Sequence, residues 1–424
     1  MRRLMYEMRR ALQSPPRHPR LAVVVGRLLG AAFLVCFGTG LYSHFLQNPI
    51  PGMVFPTSPV VLYSWTQGIH VAAGIACFPL LLGKLYVVYP RLFVFPPVRG
   101  PIDLVERASI AVFVAASIVQ IVTGLLNTYE WYPWPFPFRQ VHYALAYVIV
   151  GSLVIHIGFK LPLIAEYWTK HRTADEEGQP LPVMETEGED AGALRDTVAP
   201  GDAPRGLTGR VLRWIDATPD AEPRVSRRAF FATTVGVAAG VVALTAGQSF
   251  RVLAPLNAFA PRTMGIGPNR GLPVNRTAAA ARITEDLVGD GWRLAVRGRD
   301  GVDRLFSYDQ LLAMPQHGVD LPIACVEGWS QMATWRGVRL KELLAAVGRR
   351  PGEGARITSM EVRGSSRRSE MSAQFIDDDR TLVALRLNGD VLDMDHGYPA
   401  RIIAPARPGA LQTKWLGTIE VTRS

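Results

Sequence analysis

Ser226-Arg227-Arg228-Ala229-Phe230-Phe231, followed by a mild apolar run to about Gly247, decides how this chain is organised. The stretch reads as a twin-arginine export signal, the address of domains that fold around a cofactor before they cross a membrane. Such a signal normally opens a protein, and here it stands past the middle of 424 residues. The sequence before it is therefore expected to be an integral membrane unit ending in the cytoplasm. The sequence after it is expected to be a folded domain delivered to the far side.

Composition agrees with a membrane unit, since 48% of the residues are apolar, too many for an ordinary soluble enzyme of this length. The net charge of +10 raises the question of nucleic acid, but the basic residues follow another pattern. Arg2, Arg3, Arg9, Arg10, Arg17 and Arg20 precede the first apolar span, and Lys84, Arg91, Arg99 and Arg107 surround the connection from the second to the third. Lys160, Lys170 and Arg172 come at and after the end of the fourth, whereas the loops 47–59 and 128–138 carry Glu130 as their one formal charge. This positive-inside distribution puts the amino terminus in the cytoplasm and makes the excess arginine a matter of topology, with no nucleic-acid partner expected.

Four apolar segments of spanning length are read at 21–46, 60–88, 104–127 and 139–165, each near the ~20 residues that cross a bilayer as a helix. Tyr129, Trp131, Tyr132, Trp134 and Phe136 crowd the second outer loop as an interfacial belt. From 169 to 224 the chain turns to Glu, Asp, Gly and Pro, the composition of a linker with little core, with one short amphipathic helix expected over 207–216. A fifth span at 229–247 leads outward into a remainder long enough for one globular domain. Alternating runs such as Trp292–Val296 and Arg401–Ala404 predict a mainly β domain with short helices at Leu311-Leu312 and at 340–347. Small residues such as Ala243 and Ala246 leave cleavage after the fifth span open.

Four of the eight histidines, His44, His70, His142 and His156, fall in or at the ends of the apolar spans. An ionisable, metal-binding side chain in lipid marks a functional site by default. His142 and His156 are 14 residues apart on one predicted helix, almost four turns and ~21 Å of rise, so they share a face at opposite depths. That spacing suits two haems stacked across a bilayer. Lys84 and Lys160 are expected to snorkel to headgroups, and Glu106 to pair with its neighbour Arg107.

With TQGIHVAAGIACFPLLLGKLYVVYP and HYALAYVIVGSLVIHIGFK, the first 170 residues resemble the four-helix b-type membrane cytochromes that serve hydrogenases and formate dehydrogenases. The resemblance implies haem ligation by His70, His142 and His156. It departs in the first span, where the usual ligand position near the inner end holds Gly26 and Arg27 and the only histidine, His44, lies at the other end. Pairing by depth joins His44 to His142 and His70 to His156, whereas pairing by analogy joins His70 to His142. One or two b haems remain open.

Cys36 and Cys77 fall in apolar spans, so Cys325 is the single thiol of the exported part, in Leu321-Pro322-Ile323-Ala324-Cys325-Val326-Glu327-Gly328-Trp329-Ser330. A strand running into a turn is expected there. A thiolate is a good soft ligand for a metal, and a buried structural cysteine is the alternative. Near the end stand His396-Gly397-Tyr398-Pro399-Ala400-Arg401, then Gly409, then Lys414-Trp415. Arg401 and Lys414 offer charge and His396 a directional donor to an anionic organic cofactor.

Together these stretches resemble the molybdopterin-binding domain of the sulfite oxidase family, over most of 270–422. By that resemblance Cys325 ligates molybdenum and is the catalytic metal ligand, while His396, Arg401 and Lys414 contact the pterin and its phosphate. Asn275, in PVNRTA, matches a pterin-side asparagine. CVEGWS is similar to the periplasmic methionine sulfoxide reductase branch, which disfavours sulfite, although Arg363, Arg367 and Arg368 could supply anion contacts. Trp329 and Trp335 are open between substrate funnel and core, and Glu327 is read as a solvated loop residue rather than an acid near the metal.

The fold expected is a membrane all-α four-helix haem bundle (1–168), a cytoplasmic linker (169–225), a twin-arginine signal with a fifth anchoring helix (226–249), and an exported mainly β (α+β) molybdopterin domain (250–424). The function expected is a membrane-bound, molybdenum-dependent oxidoreductase in a bacterial plasma membrane. Electrons from quinol would cross haem b to molybdenum-molybdopterin, which removes oxygen from a small S- or N-oxide. The alternatives are a sulfite-type dehydrogenase that reduces quinone and a non-catalytic electron-transfer subunit. Lipid and the twin-arginine export machinery complete the expected partners.

Overall fold

The computed structural model describes residues 19–50, 52–92, 98, 100–168, 206, 207, 209, 210, 225–259, 267–362, 364 and 367–422. The basic residues at 2, 3, 9, 10, 17, 99, 170 and 172, Arg363, most of the linker and most of the helix expected over 207–216 lie outside them.

Five helices are long and apolar enough to cross a membrane: α1 (Pro19–Gln47), α2 (Leu62–Val88), α3 (Pro101–Thr128), α4 (Phe138–Glu166) and α5 (Arg227–Thr245). Their bounds lie within a few residues of the apolar segments, because in hydrocarbon a backbone must close its hydrogen bonds within one helix. The α5 start is locally encoded, with the Ser226 hydroxyl accepting a bond from the Ala229 amide at 3.1 Å, a serine N-cap ahead of the arginine pair.

One compact unit takes residues up to Leu34 with Ala73–Asn127 and Trp131–Val242. In it Leu21, Ala22 and Val25 of α1, Val87 of α2 and Phe230 and Phe231 of α5 form one apolar cluster. A Cβ on Gly83 of α2 would lie 2.6 Å from Thr234 Cγ2 of α5, so only glycine permits this approach. Two expectations are corrected here. Arg107 pairs with Asp103 at 3.2 Å, one helical turn back, and Glu106 instead pairs with Lys160 of α4. Lys84 donates to the Ala22 carbonyl of α1. The physical reason is shared: a lysine near a helix end satisfies its ammonium on a neighbouring helix when a carboxylate or an open carbonyl lies within reach.

The second unit joins Val35–Ala72 and Thr128–Glu130 to Ala243–Ser424. Its frame is two five-stranded sheets. In the first, β1 (Leu294–Arg297) pairs with β2 (Asp303–Phe306) and runs parallel to β10 (Leu416–Thr422) with Ala295 opposite Thr418. β10 pairs with β5 (Gly354–Ser359), which pairs with β6 (Arg368–Met371). In the second, β3 (His317–Ala324) and β4 (Ser330–Arg339) form a hairpin from His317↔Gly337 to Ala324↔Ser330. β4 pairs with β7 (Leu382–Leu387), which also carries β8 (Asp390–Val391) and β9 (Arg401–Ile403). A bulge at Arg336/Gly337 brings backbone so close that a Cβ on Gly337 would lie 2.0 Å from the Val383 carbonyl. The two short helices expected from the sequence are α6 (Tyr308–Ala313), opened by a Ser307/Gln310 capping box, and α7 (Leu340–Ala345).

Leu294, Val296, Ile357, Leu416 and Ile419 of the first sheet share one core with Leu343, Leu344, Val383 and Ile402. Leu46, Phe55 and Tyr63, from the end of α1, the following loop and the start of α2, lie in that same core. The connection holds further by Ala406 N donating to Val60 O at 3.3 Å and Arg380 Nη2 donating to Ser58 Oγ at 2.9 Å.

Candidate functional site

The β3–β4 hairpin positions the thiol. β3 ends at Ala324, and the turn Cys325–Trp329 closes with Cys325 N donating to Trp329 O at 2.9 Å and Gly328 N donating to Cys325 O at 3.1 Å. Gly328 takes φ +100°, a left-handed backbone that favours glycine, so the turn requires it. Cys325 is 1% exposed, and burial with the neighbouring Glu327 carboxylate raises its thiol well above the ordinary value. Left alone the sulfur stays protonated; a bound metal cation is what ionises such a group. Asn275 Nδ2 donates toward Cys325 Sγ at 3.8 Å.

The carboxy-terminal block faces it. Asn275, Arg276, Cys325, Trp329, Glu361, His396, Arg401 and Lys414 line one cavity, with Gly409, Gln412 and Thr413, around about 630 Å³ of space that is partly open to solvent. A Cβ on Gly409 would stand 2.9 Å from the Ala324 carbonyl and 3.6 Å from Cys325 Cα, so the absent side chain lets this segment approach the thiol. Arg401, 2% exposed, donates to His396 O at 2.9 Å and Gln412 O at 3.2 Å, and its guanidinium lies 5.0 Å from the Trp335 ring centroid. Lys414 Nζ donates to Arg276 O at 2.6 Å and Asp395 O at 2.9 Å. His396 Nε2 donates to Leu272 O at 2.9 Å, so the neutral ring presents its lone pair at Nδ1.

The electrostatics of the cavity are unbalanced. Burial lowers Arg401 to about 9, and burial followed by repulsion from Arg401 lowers Lys414 to about 7. His396 is lowered chiefly by burial. His396 Nδ1 and Arg401 Nε are buried without a hydrogen-bond partner. Buried cations and orphaned polar atoms around one hollow are the signature of a group with acceptors and negative charge, whose arrival would restore both. The donor set fits an anionic, phosphate-bearing cofactor with its metal at the thiol.

All five residues expected from the sequence on this side, Asn275, Cys325, His396, Arg401 and Lys414, therefore meet in one place. Arg276 and Glu361 were not anticipated; they form an ion pair at the cavity wall, with burial raising Glu361 against that pairing. Arg276 adjoins Asn275 and could have been read with it, whereas nothing in the sequence around Glu361 marks it. The solvated reading of Glu327 is corrected: it is 2% exposed and accepts from Trp329 Nε1 at 3.0 Å, because the tight turn folds it under the indole. Trp329 lines the cavity, while Trp335 is core, its Nε1 donating to Leu321 O at 3.1 Å. Arg367 and Arg368 are exposed and absent from the cavity lining.

The histidines of the apolar helices form no cluster of three or more metal-ligating groups among the described residues. His70 on α2 bonds through Nδ1 to Cys36 O of α1 at 2.8 Å, which puts the ring lone pair on Nε2. A Cβ on Gly40 would lie 2.8 Å from that ring. His142 on α4 lies with Nδ1 3.4 Å from Thr123 Oγ1 of α3. His156, farther along α4, stacks on Phe113 at 6.1 Å between centroids, and its Nδ1 is buried without a hydrogen-bond partner. His44 sits at the end of α1 against Phe45.

Residues 281–424 match the family described as "Oxidoreductase molybdopterin binding domain". The chain is similar to mitochondrial sulfite oxidase of Rattus norvegicus, 30% identical over 163 residues, 32% of this chain and 30% of that protein. It is also similar to an uncharacterised oxidoreductase of Bacillus subtilis, 29% identical over 136 residues, 31% of this chain and 66% of that protein. A third relative is the protein-methionine-sulfoxide reductase catalytic subunit of Burkholderia mallei, 28% identical over 149 residues, 32% of this chain and 44% of that protein. The chain thus spans about a third of the rat protein's length. An amino-terminal region of apolar helices is followed by a sheet-rich region, of which residues 281–424 match the molybdopterin-binding oxidoreductase domain and which is similar to sulfite oxidase.

Proposed function

We propose that the chain is a membrane-bound oxidoreductase whose exported carboxy-terminal domain reduces a small S- or N-oxide with electrons drawn from quinol through haem b in α1–α4. The observation that carries the reading is the cavity in which Cys325 meets three lowered basic groups, two of which, His396 and Arg401, carry an unpartnered buried nitrogen. Cys325 would hold the metal through sulfur, with the Asn275 amide donating to that sulfur. Arg401, Lys414 and His396 would hold the pterin and its phosphate. Molybdenum-molybdopterin, when bound, supplies two-electron oxygen-atom exchange, and haem supplies single electrons.

The chain's own contributions follow from the geometry. Lys414 and Arg401, rigidly held by backbone carbonyls, present charge that needs no reorganisation when an anion enters. Trp329 closes one wall of the cavity and restricts water there. The half-exposed Arg276 pairs with buried Glu361 at the lining, a carboxylate whose affinity for protons is raised by burial and opposed by Arg276. In the membrane part, His70, His142, His156 and His44 are the haem ligand candidates, and the Nδ1 bond of His70 to Cys36 O orients Nε2 for iron. We further propose the domain bounds 1–168, 169–225, 226–249 and 250–424, with the amino terminus cytoplasmic and α5 carrying the twin-arginine signal. The similarity to a methionine sulfoxide reductase subunit favours a sulfoxide among the possible oxides.

The test is metal and haem analysis of the full-length protein from a host that makes molybdopterin. One molybdenum per chain with b-type absorbance supports the reading; absence of molybdenum in a folded protein would overturn it.

A further inference from the structure

The turn that carries Cys325 is held from α2. Gln67 Nε2 donates to the Val326 carbonyl at 2.9 Å, one peptide beyond Cys325. The same amide's oxygen accepts from the Tyr63 hydroxyl at 3.4 Å, and Tyr63 bonds Ser43 of α1 at 3.2 Å. Ser43, Tyr63 and Gln67 are buried, so the chain of bonds is shielded from water and keeps one geometry. Two residues farther along the turn, Gly328 packs on Val71 so tightly that a Cβ would lie 2.8 Å from Val71 Cγ2, and Ser249 donates to the Gly328 carbonyl. Gln67, His70 and Val71 stand at i, i+3 and i+4, one stripe of α2. The stripe that grips the thiol's turn is therefore the stripe that carries a candidate haem ligand.

We infer that Gln67 is the positioning residue that couples the haem on His70 to the metal on Cys325, its hydrogen bond to Val326 bridging α2 and the thiol's turn. The inference rests on the proposed function above. Each passage moves one electron, leaving a ferrous haem iron ferric and lowering the molybdenum by one unit. Two passages, resupplied by quinol, would with two protons convert the oxide to the reduced substrate and water, and no bond in Gln67 is made or broken. Val71 and Ser249 meet the turn at Gly328, whereas Gln67 joins it by a hydrogen bond at Val326, next to the thiol-bearing residue.

The test uses the full-length protein loaded with both groups. Haem is reduced by flash-excited flavin with EDTA as the sacrificial electron donor, under anaerobic conditions without substrate, and its absorbance is followed as electrons equilibrate with molybdenum. Gln67→Met keeps length and packing but removes the donor; it should slow equilibration several-fold. Tyr63→Phe, which releases the amide's oxygen, should slow it less. Ser249→Ala loosens the same turn without touching Val326 and should leave the rate as it was. In each variant the Mo(V) resonance line shape, and its relaxation by ferric haem as a measure of separation, should match the parent protein. An unchanged rate in Gln67→Met, a loss as large in Ser249→Ala, or slowing that tracks a changed separation would overturn the role of Gln67. A parent protein lacking haem or molybdenum would overturn the proposed function and this inference with it.

Discussion

At the scale of the residue, the account turns on groups whose burial is intelligible only with a ligand beside them. Cys325 is buried, protonated when alone, and served by an amide donor from Asn275. Cys325→Ser should remove molybdenum while leaving the sheets folded, checked by metal analysis alongside circular dichroism. Lys414 offers a pH test. Burial holds it down to about 7 against an ordinary 10.5. Between those values the unfolded chain binds a proton that the cofactor-free folded chain does not, so stability rises with pH through that window. Above 9.0 the unfolded Cys325 thiol ionises while the folded one does not, which works the other way. The thermal midpoint of the cofactor-free protein should therefore rise from about pH 7 to about pH 9, and Lys414→Met should flatten that rise. Cys325, His396, Arg401 and Lys414 were readable because each combines a chemically specialised side chain with a recognisable block. Glu361 was not, since its environment is made by Arg276, distant in sequence.

At the scale of the element, the spans follow from composition alone, because a run of apolar residues in lipid has one way to satisfy its backbone. What composition does not specify is which helix faces touch. Gly83 illustrates this: its contact with Thr234, like the packing of Phe230 against the cluster that holds Val87, shows where α2 and α5 approach. Gly83→Leu should force these helices apart and cost about 1–3 kcal/mol, read as a lowered thermal midpoint in detergent. In the sheets, Gly337→Ala should lower the yield of folded protein because of the Val383 carbonyl, while Gly291→Ala, which meets open space, should be tolerated. For α5, replacing Arg227 and Arg228 by lysine should keep the helix and its Ser226 cap but leave the carboxy-terminal domain inaccessible to external protease in spheroplasts.

At the scale of the whole molecule, the order of apolar helices followed by a sheet-rich domain was legible, since the two differ in hydropathy and punctuation. The capture of Leu46, Phe55 and Tyr63 by the core of the carboxy-terminal unit was not. Those residues lie in two apolar helices and the loop between them, where lipid-facing and protein-facing residues look alike in sequence. Their placement makes the connected ends of α1 and α2 part of the architecture that supports the Cys325 turn, through Gln67 and Val71.

The most direct measurement follows haem absorbance of the dithionite-reduced, full-length protein after excess reductant is removed and a sulfoxide or N-oxide is added without oxygen. The account predicts that the reduced b-haem bands decay at a rate set by substrate, and that Cys325→Ser abolishes the decay. Bands that persist with every oxide tried, or that decay equally fast in Cys325→Ser, would contradict it.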